Sequence, residues 1–285
     1  MSGTPPPQSP SPFADGVRLA IGTLSVFPVR PGVIDRRAAR IAMTVAPPVG
    51  VLLGAAGGAV LAVALWLGIT PLPASVLAVA SLALLTRGLH LDGLADLADG
   101  LGSGKPADQA LDVMKRSDIG PFGVVTLVFT LLVQVTALAE VSAAGMGPAA
   151  LVTACVTGRL ALTWACRAGV PSARPDGLGA LVAGTVRRGP ALAVTALMLA
   201  GAAALTFFSS LGWAPPAGSA FLRWGGGLSM AAWGPPVAVL VGLLAAWTLR
   251  HRAVRRLGGI TGDVLGALVE IATATALVVC AVAVG

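Results

Sequence analysis

Long runs of apolar residues alternate with short polar connections along most of this chain. Seven of the runs contain few charged residues. Most are about 20 residues long, which is the length an α-helix needs to cross the hydrocarbon core of a bilayer. We therefore predict about seven transmembrane helices, in residues 41–69, 72–85, 122–144, 149–165, 191–213, 229–249 and 264–284. A further amphipathic segment, residues 13–28, predicts a helix that lies on the membrane surface or dips into it.

Composition supports a membrane protein. Hydrophobic residues make up 56% of the 285 residues and charged residues only 11%, and the mean hydropathy is +0.87. These values exceed those of soluble globular domains. We predict an all-α polytopic helical bundle that forms one membrane-embedded domain, residues 13–285. Residues 1–12 are rich in proline and lack an apolar run, which predicts a disordered tail rather than a signal peptide.

Basic residues are distributed asymmetrically between the predicted connections. Seventeen of the 19 lysines and arginines fall in residues 18–40, 87–116, 167–188 and 250–256. Positively charged loops stay on the cytoplasmic side of a membrane. This pattern therefore predicts a multi-pass protein of the plasma or inner membrane, with its N-terminus and long polar loops in the cytoplasm. The net charge of +7 follows from this topology beside anionic membrane lipid, and nucleic acid is not indicated as a partner.

The segment LHLDGLADLADGL, residues 89–101, concentrates acidic residues next to the second predicted span. On a helix, Asp92, Asp96 and Asp99 fall at positions i, i+4 and i+7 and form one stripe. Aligned carboxylates repel one another unless a cation lies between them, and they are suitable ligands for Mg²⁺ or Mn²⁺. The alternative is a solvated polar face at the membrane edge. His90 points away from the stripe and is a candidate for lining the site rather than a general base.

Residues 106–119 predict a second amphipathic cytoplasmic helix, which follows a glycine-rich break at residues 100–104. Asp112 lies on this helix, and Lys115 and Arg116 lie in its last turns. The two basic side chains stabilise the negative end of the helix dipole or bind phosphate, and the sequence does not decide between these roles. For Asp112, the alternative role is that of an ordinary surface charge.

A second polar constellation, LGGITGDVLGALVE, occupies residues 257–270 at the start of the last predicted span. Thr261 or Asp263 can cap the helix that begins near Gly262, and the free N–H groups there form an anion-binding end; the alternative is a plain capped turn. Glu270 lies about 10 Å deeper in the membrane. An ionisable residue is costly at this depth, so we predict that it pairs with Arg159 in the fourth span.

Without any comparison, these features favour phosphoryl or phosphodiester transfer at a cytoplasmic membrane face. The segments LHLDGLADLADGLGSG, ALDVMKRSDIGPFG and LGGITGDVLGALVE also resemble the cobalamin synthase family, adenosylcobinamide-GDP ribazoletransferase, over about residues 19–270. The resemblance implies a Mg²⁺-dependent transfer of phosphocobinamide from adenosylcobinamide-GDP to α-ribazole or its 5′-phosphate. GMP is released and adenosylcobalamin or its 5′-phosphate is formed.

The resemblance also assigns residues. It implies that Asp92, Asp96 and Asp99 bind the metal and, with Asp263, carry catalysis. We expect the substrates to contact residues from all three segments and the fourth span: His90, Asp112, Lys115, Arg116, Ser117, Arg159, Thr261, Gly262 and Glu270.

Two segments depart from the family pattern. Where the family usually has M-R-D-S-R-x-G, residues 114–120 read MKRSDIG, so acid and base have exchanged places and the family aspartate has no counterpart at Arg116. The early T-R-L-P-V-P run is altered to TLSVFP in residues 23–28, and Arg30 is the substitute we expect for phosphate contacts.

Two other functions remain alternatives. A CDP-alcohol-type phosphotransferase acting on a lipid uses similar metal chemistry, but this chain, with Asp96 after Asp92-Gly93, lacks the alanine and arginine that end the D-G-x-x-A-R motif. A solute or ion transporter would bury its acidic groups near the middle of the membrane. The sequence leaves open whether the protein forms a homo-oligomer and whether other enzymes of the cobalamin pathway dock on its basic face.

Overall fold

The computed structural model describes residues 11–30, 32–210 and 230–284, and this part of the chain is helical without strands. Its helices are α1 (Pro12–Leu24), α2 (Arg36–Thr44), α3 (Ala46–Trp66), α4 (Pro71–Leu85), α5 (Leu89–Gly102), α6 (Ala107–Val113), α7 (Pro121–Ala143), α8 (Gly147–Ala165), α9 (Gly177–Val182), α10 (Arg188–Ser210), α11 (Met230–Leu257) and α12 (Gly262–Val284). The predicted tail, residues 1–12, lies mostly outside the described residues.

The predicted membrane bundle is confirmed. Among the described residues, α3, α7, α8, α11 and α12 are long and apolar enough to cross a membrane. Helix α8 is largely buried, because α3, α11 and α12 pack around it. Helix α12 also contacts α5 and α7. The last helix in the chain therefore connects the center of the bundle to the acidic helix α5.

Three of the observed helices, α3, α10 and α11, have ends that differ from the predicted spans. Residues 41–69 do not form one helix, because α2 ends before the two prolines that begin α3; proline lacks the N–H that a continuous helix would need. The span predicted at residues 191–213 corresponds to α10, whose apolar part within the described residues is Arg188–Ala204. Its predicted end lies outside those residues. Helix α11 continues two turns past residue 249.

The chain turns sharply between α4 and α5, whose axes differ by 88°. Arg87 and Gly88 both adopt positive φ angles, of 56° and 67°, and the Arg87 side chain donates a hydrogen bond to the carbonyl oxygen of Gly22. Glycine tolerates this backbone conformation, whereas arginine adopts it at a cost. Because α5 lies nearly at a right angle to α4, we count α5 as a helix beside the membrane spans rather than as the continuation of one.

Helix α6 is shorter than the predicted helix of residues 106–119. It ends at Val113, and tight turns follow, in which the N–H groups of Lys115 and Arg116 donate to carbonyls three residues earlier. Residues 114–120 form the connection, and α7 begins at Pro121, whose ring disfavours helical geometry in Gly120.

Candidate functional site

Helices α5 and α12 approach each other backbone to backbone at two glycines. A Cβ atom on Gly93 would lie 2.8 Å from the carbonyl oxygen of Asp263, and one on Gly266 would lie 3.1 Å from that of His90. At these distances a Cβ atom would crowd the facing carbonyl oxygen, so glycine allows the backbones of the two helices to approach closely. The contact places the start of the acidic stripe beside the first turn of α12, so two segments that are distant in sequence form one site.

A cavity of about 390 Å³ lies at this contact. Its polar lining includes Asp92 and His90 from α5, Lys115 after α6, and Thr261 and Asp263 at the start of α12. Gly262 also lines it, as do Thr23 at the end of α1 and residues 176–179 at the start of α9. Because Asp92 is exposed, the cavity opens to the surface of the molecule, as a site for a large substrate requires.

Thr261 caps α12, one of the two caps that the sequence allowed. Its hydroxyl accepts a hydrogen bond from the N–H of Val264 at 3.2 Å and donates one to a carboxylate oxygen of Asp263, also at 3.2 Å. The threonine is buried. These bonds fix the carboxylate of Asp263 at the mouth of the helix, next to the cavity.

The acidic stripe forms one helical face but runs from the surface into the protein. Asp92 is exposed, Asp96 is half-buried and Asp99 is buried. Burial, followed by the negative charges of Asp92, Asp263 and Asp99, raises the pKa of the Asp96 carboxyl to about 7, while Arg174 opposes the shift. Four carboxylates therefore act on one another across the α5 and α12 contact.

Asp99, the deepest residue of the stripe, binds the start of α7. Its two carboxylate oxygens accept hydrogen bonds from the N–H groups of Gly120 at 2.7 Å and Gly123 at 2.9 Å. Such free N–H groups at a helix N-terminus carry partial positive charge. Asp99 is thus held in a structural contact, and it does not line the cavity that Asp92 and Asp263 share.

A loop that the sequence analysis did not select completes the cavity. Arg174 and Asp176 line it, and the loop is fixed by the N–H of Ala173, which donates to the carbonyl oxygen of Ile260 at 3.0 Å. Arg174 also donates to the carbonyl oxygen of Leu111 at 2.6 Å. Its only signal in the sequence was membership in a basic connection, which does not distinguish it from its neighbours.

Comparisons with known proteins give the family of the chain. A model of the family described as cobalamin-5-phosphate synthase matches residues 16–281. The chain belongs to the cobalamin-5-phosphate synthase family. Similar proteins named adenosylcobinamide-GDP ribazoletransferase include one from Frankia casuarinae, 45% identical over 93% of both chains. Another, from a Nocardioides species, is 39% identical over 92% of this chain and 96% of the relative. No solved structure matches the chain.

His90 is buried beside the cavity without a hydrogen-bond partner for its ring. The side chain is 3% exposed and lines the cavity, yet neither ring nitrogen has a hydrogen-bond partner. Burial, and then the positive charge of Arg159, lowers its pKa well below the ordinary value, so the imidazole is neutral. A side chain buried in this way does not face the lipid headgroups.

The predicted ion pair between Arg159 and Glu270 is wrong. Both residues line a small cavity of about 30 Å³ between α8 and α12, but no salt bridge joins them, since the described side chains form one only between Arg18 and Asp15. Glu270 instead accepts a hydrogen bond from Gln134 on α7 at 2.7 Å. The amide supplies a neutral donor to the carboxyl oxygen, and Arg159, although buried, forms no direct ion pair with it.

The remaining predicted residues lie around the turn between α6 and α7. Lys115 lines the cavity, whereas Asp112, Arg116 and Ser117 do not. All four side chains are exposed. Arg30, proposed as a substitute phosphate contact, is exposed and also lies outside the cavity lining.

The donors at the site suit a partly hydrated hard cation. Among the described residues, no group of three or more acidic, histidine or cysteine side chains is placed so that it could hold a metal ion. Mg²⁺ prefers oxygen ligands and is often bound by one or two carboxylates, with the remaining positions filled by water and substrate phosphates. Asp92 and Asp263 line the cavity and supply such carboxylates, whereas Asp96 lies outside the cavity lining. Asp92 is exposed where a substrate can reach it.

Proposed function

We propose that this protein transfers phosphocobinamide from adenosylcobinamide-GDP to α-ribazole or α-ribazole 5′-phosphate in cobalamin biosynthesis. In this reaction the ribose hydroxyl oxygen bonds to the phosphorus that carries cobinamide, the diphosphate bridge breaks, and GMP leaves. The hydroxyl proton is lost to solvent or to a base. Family membership and the names of the relatives support this reaction over a lipid phosphotransferase or a transporter.

The observation that carries the proposal is the shared cavity of α5 and α12. It combines carboxylates from both helices with Lys115 and Arg174, and it opens at the surface. Cationic side chains beside carboxylates fit a substrate that brings both a diphosphate and a metal. The cavity volume of about 390 Å³ suits the diphosphate and part of the nucleoside, so we place the corrinoid ring at the open surface.

Mg²⁺ is the cofactor in this proposal, and it would neutralise charge on the diphosphate as the bridge breaks. Asp92 and Asp96 would hold it, and Asp263 would lie beside them. A ligand role for Asp99 stays a prediction, because its oxygens already accept two backbone hydrogen bonds. Lys115 and Arg174 would bind phosphate oxygens, and Thr261 orients Asp263.

The proposed location is the plasma or inner membrane with the cavity facing the cytoplasm. Two connections that line the cavity, after α6 and between α8 and α9, belong to the segments in which the basic residues concentrate. The positive-inside rule assigns such connections to the cytoplasm.

The test is GMP release and corrinoid product formation by the purified protein in lipid nanodiscs, given adenosylcobinamide-GDP, α-ribazole and Mg²⁺. Asp92→Asn removes one cavity carboxylate while keeping its shape. Asp108→Asn is the matched control, because Asp108 is exposed on α6 and does not line the cavity. We expect about a 100-fold or greater loss of rate for Asp92→Asn, typical of a removed electrostatic contact at a reacting group, and parent activity for Asp108→Asn.

An EDTA-treated sample separates the reaction from its cofactor. Activity lost in EDTA and restored by Mg²⁺ supports the metal assignment. Folded parent protein that releases no GMP contradicts the proposed reaction, and an Asp92→Asn variant with parent activity contradicts the proposed site.

A further inference from the structure

A second cavity, with no lining residue in common with the first, lies between α8, α10 and α11. Its volume is about 430 Å³. One wall consists of Leu240, Leu243 and Leu244 on α11, and the two arginines of the lining, Arg167 and Arg250, lie toward the end of the groove where α8 and α11 finish. The groove is therefore apolar along its length and cationic at one end.

The length of the groove matches one leaflet of a bilayer. Leu240 and Arg250 are separated by about 15 Å along α11, at 1.5 Å per residue. The hydrocarbon core of a bilayer is about 30 Å thick, so half of it has the same depth. Trp164 and Trp247 line the groove near the arginines, and tryptophan concentrates at the headgroup level of membranes. The cationic end thus lies at the height of lipid phosphates.

Within the described part of the chain, neither groove arginine forms a salt bridge with a carboxylate. Arg250 is 8% exposed and donates to the carbonyl oxygen of Trp164 at 2.8 Å. The buried Nε of Arg167 has no hydrogen-bond partner, and the two guanidinium groups are close enough to repel each other. Buried cations in this arrangement favour an anionic ligand.

We propose that this groove is a binding site for an anionic glycerophospholipid. The lipid phosphate contacts Arg167 and Arg250, and one acyl chain lies along the leucines of α11 toward the middle of the membrane. Phosphate oxygens match the fork of N–H donors on a guanidinium group. The site is separate from the proposed transferase cavity and does not depend on the proposed reaction.

Native mass spectrometry of the detergent-purified protein tests the site, with phosphatidylglycerol and phosphatidylcholine of identical acyl chains as probes. We expect the parent protein to retain phosphatidylglycerol preferentially, and Arg167→Gln to bind it about five-fold more weakly, as removal of one interfacial arginine predicts. Arg167→Lys keeps the charge and restores most of the binding. Arg252→Gln is the matched control, since Arg252 is an exposed arginine on α11 outside the groove.

Folding of Arg167→Gln is checked by thermal unfolding, and we expect little change because the replaced Nε has no partner in the protein. If that variant unfolds, Leu244→Trp fills the exposed wall of the groove and lowers retention of the same lipid. Equal retention of the two lipids by the parent overturns the proposal. So does an equal loss of phosphatidylglycerol in Arg252→Gln and Arg167→Gln, since binding would then follow overall charge and not the groove.

Discussion

Replacing Asp99 with asparagine tests whether this residue stabilises the protein by binding the start of α7. The carboxylate accepts hydrogen bonds from the N–H groups of Gly120 and Gly123. Asparagine has one acceptor oxygen, so its NH₂ group would face one of these N–H donors. Loss of one charge-assisted hydrogen bond costs about 1.5–3 kcal/mol, and loss of the charge at the helix N-terminus adds about 0.3–1 kcal/mol. We expect Asp99→Asn to lower the free energy of unfolding by about 3 kcal/mol.

Chemical denaturation in mild detergent measures this change, and a Mg²⁺ titration of GMP release on the same sample separates stability from metal binding. We expect the Mg²⁺ concentration for half-maximal rate to change less than two-fold in Asp99→Asn. The matched control is Asp35→Asn. Asp35 caps α2 by accepting one bond from the N–H of Ala38, and asparagine is an equally good cap. Parent stability with a large rise in the Mg²⁺ requirement would refute the reasoning and identify Asp99 as a metal ligand.

Two further predictions concern the α5 and α12 contact. Gly93→Ala places a Cβ atom 2.8 Å from the carbonyl oxygen of Asp263, so we expect unfolding free energy to fall by about 1–3 kcal/mol and GMP release to slow. Gly201→Ala on α10, whose added Cβ atom would meet no described atom outside its own helix within 4 Å, should leave both unchanged or raise stability slightly; equal effects of the two variants would contradict close packing at Gly93. The pKa of Asp96 is raised to about 7, so the folded state binds its proton more tightly than the unfolded state, and stability in EDTA should fall as pH rises from about 4 to about 7 and then level off. Asp96→Asn should remove that part of the slope in thermal unfolding curves between pH 5 and pH 8, and an unchanged slope would show that other groups cause it.

Much of the fold follows from hydrophobic length and helix signals in the sequence. Apolar runs located α7, α8 and α12 within a few residues, because a helix that crosses a membrane must satisfy its backbone hydrogen bonds internally and be apolar along its length. The periodicity of the aspartates predicted the face of α5. Helix ends that depend on proline were less predictable, and the break before α3 was missed although Pro47 and Pro48 mark it.

The site was predictable where the chemistry lies on one helix and not where it depends on tertiary contacts. Spacing aligned the carboxylates of α5, and Thr261 was recognised as a cap. Arg174 lines the cavity because its loop is held by backbone hydrogen bonds to Ile260. A local sequence pattern does not predict such a contact. The partner of Glu270 was misassigned to Arg159, because depth along two helices does not reveal that a side chain of a third helix, Gln134 on α7, donates to the carboxyl.

The arrangement of α12 also affects when the site can exist during synthesis. Asp92 and Asp263 line one cavity, but the ribosome adds them far apart in time, roughly 10 to 35 seconds at about 5–20 residues per second. Until α12 inserts beside α5, the acidic helix lacks its partner at Gly93, and the part of the cavity lining that comes from residues 260–266 is absent. The growing chain therefore carries its exposed carboxylates through most of translation, and assembly of a working site waits for the final helix to enter the membrane.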